Sequence, residues 1–79
     1  MLDEPTNAER AEWAEKALLV FAKETFHGPE ALDPGESVIQ DLITDLLHYA
    51  HQRGYDATSL NCNAHGNFLE ELEEEQRSS

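Results

Sequence analysis

The segment from Asp33 to Gly54 constrains the fold most, because its apolar residues recur with the period of an α-helix. Asp33 is a good N-cap, Pro34 suits the first helical turn, and Glu36 stands in the position of a capping box. Gly54 is expected to end the helix in the left-handed conformation. We predict an amphipathic helix over residues 34–53. Its apolar half consists of Val38, Ile39, Leu42, Ile43, Leu46, Leu47, Tyr49 and Ala50.

A second helical pattern covers residues 7–26. Thr6 and Glu9 have the spacing of a capping box, in which each residue satisfies a backbone N–H of the other. Apolar residues then occupy well over half of the helical wheel, with Trp13 and Val20 at its edge. A helix with so wide an apolar surface needs cover on two sides, so we expect a third helix or a second subunit against it.

A third helix is predicted over residues 57–74, with Asp56 as its N-cap. Gly66 lies among asparagines, which are poor helix formers, so we expect a kink or a break there. The acidic run that follows opposes the helix dipole and should limit the helix, leaving residues 76–79 frayed, like residues 1–5 at the other end. Apolar residues at every fourth position predict a buried stripe, formed by Leu60, Ala64, Phe68 and Leu72.

Together these segments predict a single all-α domain over residues 1–79. The short connection between the first two helices is typical of antiparallel neighbours, so they should form a helical hairpin with a shorter third helix packed on it. A chain of this size buries only about 60% or slightly more of its unfolded surface, which limits the stability of a monomer. We therefore expect homodimerisation to complete the fold.

Charge limits the classes of partner. Seventeen acidic residues against five basic ones give a formal net charge of −12. Phosphate backbones and anionic membranes repel such a chain, which argues against direct binding to nucleic acid or membrane. The same charge steers the chain toward a basic surface on another protein, although a role in solubility alone fits the composition equally well.

Features that the sequence lacks indicate where it acts. No apolar run is long enough to span a membrane, and the acidic start of the chain does not resemble a signal peptide, so we expect a cytoplasmic protein. Cys62 is the single cysteine and has no partner for an internal disulfide. We expect it to be a small half-buried residue.

One flank of the central helix has the spacing of metal ligands. Asp41, Asp45, His48 and Gln52 follow one another at intervals of four, three and four residues. Acid and histidine residues three apart hold metals in some helical bundles, and a homodimer would supply Asp45 and His48 twice. These residues lie beside the apolar half of the wheel rather than within it. We therefore predict that the flank faces solvent or a partner and that the chain holds no metal or other cofactor.

The candidate binding residues are apolar anchors and acids. No histidine has a serine or cysteine at a recognisable local spacing, so the sequence predicts no nucleophilic enzyme. Tryptophan at the edge of an apolar arc is usually core, but it is also a favoured residue at the centre of protein interfaces. The predicted partner-binding residues are Trp13, Val20, Asp41, Asp45, His48, Gln52, Glu70, Glu71 and Glu74.

The second half of the chain carries a resemblance. Residues 41–50 read D-L-I-T-D-L-L-H-Y-A, Gly54-Tyr55-Asp56 follows, and the segment ends near Phe68 with acids at 70 and 71. This order resembles a group of small acidic helical proteins encoded by bacterial phages, prophages and integrative elements, whose pattern is D-L-x-x-D-L-x-H-x-A and then G-x-D. The chain departs from the arginine- and alanine-rich third helix of that group at Asn61, Cys62, Asn63 and Gly66.

The resemblance implies an accessory protein of a mobile genetic element. Small acidic proteins from that setting include anti-CRISPR proteins and other inhibitors that occupy basic nucleic-acid channels. We therefore predict a non-enzymatic factor that binds a protein with a basic surface. The alternative is a metal-binding bundle protein, or an enzyme, with a dimeric site built from Asp45 and His48.

Overall fold

The computed structural model describes residues 5–25 and 31–78, and within them the chain forms three α-helices and no strand. Helix α1 is Asn7–Thr25, α2 is Glu36–Gln52 and α3 is Ala57–Ser78. The all-α prediction is confirmed. The expectation of a shorter third helix is wrong, because α3 has 22 residues, against 19 in α1 and 17 in α2.

A capping box opens α1 as predicted. The backbone N–H of Glu9 donates to Oγ1 of Thr6 at 3.1 Å, and the backbone N–H of Thr6 donates to Oε1 of Glu9 at 2.9 Å. Arg10 then donates its N–H to the Thr6 carbonyl at 3.0 Å, which closes the first turn. The two side chains therefore satisfy backbone donors that the start of a helix leaves without intrahelical partners. The predicted end at residue 26 lies outside the described residues.

Helix α2 begins later than its sequence suggests. Its first helical residue is Glu36, and the N–H of Ile39 donates to the carbonyl of Gly35 at 3.1 Å. Gly35 is therefore the N-cap, and the predicted cap at Asp33 is wrong. Because glycine inside a helix costs about 1 kcal/mol relative to alanine, the helix gains by starting just after this residue.

The end of α2 is closed by a glycine, as predicted. Gly54 has a φ of +82°, in the left-handed region that favours glycine. Its N–H donates to the carbonyl of His51 at 3.0 Å, and the N–H of Tyr55 donates to the carbonyl of Ala50 at 2.9 Å. This pair of bonds is a Schellman motif, which satisfies carbonyls at the end of the helix and turns the chain toward α3.

Helix α3 has the predicted cap but not the predicted break. The N–H of Ser59 donates to Oδ1 of Asp56 at 3.0 Å, which confirms Asp56 as the N-cap. The helix continues through Gly66 to Ser78, so a break at Gly66 and the predicted end near residue 74 are both wrong, while a kink within the helix stays a prediction. A single glycine is tolerated inside a helix, and glutamates are good helix formers. Arg77 also lies 3.6 Å from Glu73, one turn earlier.

Few side chains are buried. The chain forms two compact units, Met1–Asp45 and Leu46–Ser79, whose boundary lies within α2. Among the described residues the buried apolar side chains are Ala22 and Val38 in the first unit and Ala50 in the second. No helix in the described part is both long and apolar enough to cross a membrane. The half-buried apolar residues of the helices are Leu18, Leu19, Phe21, Leu42, Leu47, Ala57 and Leu72.

Two predictions of burial fail. The stripe on α3 is not buried, because Leu60, Ala64 and Phe68 are exposed and Leu72 is only half-buried. The apolar half of α2 is covered only in part, since four of its large side chains are exposed. The periodic pattern places these residues on one face of a helix correctly, but it carries no information on whether anything covers that face.

Candidate partner-binding surfaces

The polar flank of α2 faces solvent, as its position on the wheel predicts. Asp41, Asp45, His48 and Gln52 are all exposed, and we call these four residues the α2 flank. Within the described part of the chain, no group of three or more histidine, cysteine, aspartate or glutamate residues is arranged to hold a metal ion. The alternative in which two copies pool Asp45 and His48 stays a prediction.

Helix α1 presents an apolar face away from its buried side. Trp13 and Val20 are 54% and 63% exposed. On a helical wheel they lie on the side of α1 opposite Ala22, which is buried. Ala17 lies between them along the helix and is also exposed. We call Trp13, Ala17 and Val20 the α1 outer face. The expectation that α1 is covered on two sides is therefore not met within one chain.

The predicted acids of α3 differ in exposure. Glu70 and Glu74 are exposed and lie one turn apart, so they share a face of the helix. Glu71 is half-buried, so it offers less of its carboxylate to a partner. Glu73 is engaged by Arg77, but both side chains are largely exposed and such a pair contributes little free energy. Glu70 and Glu74 are therefore exposed acids that can meet a cation on another molecule.

A further apolar surface was not predicted, because its residues were expected in the core. Ile39, Ile43, Leu46 and Tyr49 of α2 are all exposed, with Ile43 at 46% and Leu46 at 56%. Their spacing of four, three and three residues keeps them within about a third of the helical wheel. We call these four residues the α2 stripe.

The other cysteine and histidine side chains are exposed where the structure describes them. Cys62 is free and exposed, so its predicted half-burial is wrong. His51 and His65 are also exposed, while His27 lies outside the described residues. The candidate surfaces remain those of α1, α2 and α3 described above.

Comparison of the chain with protein-family models, with curated proteins and with solved structures gave no match. Function therefore follows from the exposed surfaces themselves. The chemistry of these surfaces is acidic and apolar.

Proposed function

We propose that this protein is a non-enzymatic accessory factor of a mobile genetic element, which binds a basic, nucleic-acid-binding surface of a host protein in the cytoplasm. The observation that carries the proposal is the α1 outer face. Trp13 and Val20 stand exposed on a chain whose formal net charge is −12. An exposed tryptophan on a strongly acidic chain suits a partner whose apolar patch is accompanied by lysine and arginine.

The exposed acids support the same kind of partner. Asp41 and Asp45 lie on the α2 flank, and Glu70 and Glu74 lie on α3. Exposed carboxylates attract the lysine and arginine side chains with which a partner otherwise contacts phosphates. This protein and nucleic acid would therefore compete for the same surface of the partner. The assignment to a mobile element rests on the resemblance of residues 41–56 to small acidic proteins of phages and integrative elements.

We further propose that the first two helices pair as an antiparallel hairpin and that a second copy completes the fold. The support is the size of the core. The fully buried side chains of the described residues are two alanines and one valine, and each methylene removed from water contributes only about 0.8 kcal/mol. Exposed side chains such as Ile43 and Leu46 have much more apolar area to bury.

The test begins with capture from a nuclease-treated bacterial lysate at low salt, followed by purification of the captured protein. Its affinity for the wild-type chain should fall at least tenfold as salt is raised from about 0.1 M to about 1 M, because the screening length shrinks from roughly 10 Å to 3 Å. Duplex DNA should displace the chain from the captured protein. Trp13→Ala should weaken the complex about tenfold or more, since anchors of this type often contribute 2 kcal/mol or more.

Matched charge variants separate a specific surface from net charge. Glu70→Gln/Glu74→Gln removes two of the predicted partner-binding carboxylates, on α3, and Glu12→Gln/Glu15→Gln removes two exposed carboxylates of α1 that are not among the predicted partner-binding residues. We expect several-fold weaker binding for the first pair and little change for the second. If both double variants lost the same affinity, net charge alone would explain the effect of the acids. The proposal would be contradicted by a complex whose affinity does not change with salt, with competing DNA or with Trp13→Ala.

A further inference from the structure

We draw no further inference here: the strongest candidate, the exposed α1 outer face of Trp13, Ala17 and Val20, already belongs to the surface on which the proposed function rests, and nothing in the part of the chain that the structure describes shows what else covers it.

Discussion

Gly54 and Gly66 differ in backbone conformation and therefore in how well each tolerates a side chain. Gly54 has a φ of +82°, a conformation that costs a residue with a side chain roughly 1–2 kcal/mol. Gly66 lies inside α3, and a Cβ built there would have no heavy atom within 4 Å beyond its own helix and chain neighbours. One glycine is needed by the Schellman motif, while the other is neither strained nor packed.

We expect opposite effects when each glycine is replaced by alanine. Gly66→Ala should raise the free energy of unfolding by about 1 kcal/mol, because alanine is the better helix former and open space receives its methyl group. Gly54→Ala should lower it by about 1 kcal/mol or more, because the left-handed backbone is strained. Urea unfolding at one fixed protein concentration measures both. A loss of stability in Gly66→Ala would indicate that the chain bends at this position, as its asparagine neighbours suggest.

At the scale of single helices, those boundaries were predictable whose signal is local. The capping box of Thr6, the N-cap Asp56 and the C-terminal Gly54 all follow from residues within a few positions of each other, and all three are confirmed. The start of α2 was misplaced because Asp33 and Gly35 both suit a cap. The break at Gly66 was predicted from intrinsic propensity, which longer-range helical continuity overrides.

The N-cap of α3 makes this helix sensitive to acid. Hydrogen bonds from the backbone and then the side chain of Ser59 hold the pKa of Asp56 below its ordinary value, since they favour the charged carboxylate. A group whose pKa is lowered by folding contributes stability above its unfolded pKa, and that contribution is lost as pH falls through the folded pKa. The first turn of α3 should therefore loosen in acid.

Nuclear magnetic resonance can follow this titration at the cap. The carboxyl carbon of Asp56 should titrate below the range of an unfolded aspartate, and the amide proton of Ser59 should shift over the same pH interval. Asp56→Asn provides a neutral cap as the control, and its Ser59 amide should lose this acid transition. If Asp56 titrated like an unfolded residue, the hydrogen bond from Ser59 would not form in solution.

At the scale of the whole chain, the sequence predicted three helices and the face on which each apolar residue lies, but it did not predict which faces are covered. Leu46 and Tyr49 fit a core residue and an interface residue equally well, because burial depends on contacts between segments that no local pattern specifies. The acidic flank of α2 was placed correctly in solvent, since Asp41 and Asp45 would lose hydration in any apolar contact. The α2 stripe was expected in the core, because its apolar side chains lose no favourable hydration when they are buried.

The small core of the described residues makes the proposed self-association testable through the stability of the protein. If two copies fold together, dilution favours unfolding, and the melting temperature should rise with protein concentration. A tenfold rise in concentration adds about 1.4 kcal/mol to the stability of a dimer, which corresponds to roughly 4 °C for two chains of this length. Calorimetry over a hundredfold range of concentration measures this shift.

The same series performed on Ile43→Ala tests whether an exposed apolar side chain of the α2 stripe is buried between the copies. Its melting curve should lie below that of the wild type when dilute, and the two should converge as concentration restores the dimer. A melting temperature that does not depend on concentration would mean that one copy is stable by itself. The half-buried residues of α1 and α2 would then suffice as a core, and Ile39, Ile43, Leu46 and Tyr49 would be available to a different protein.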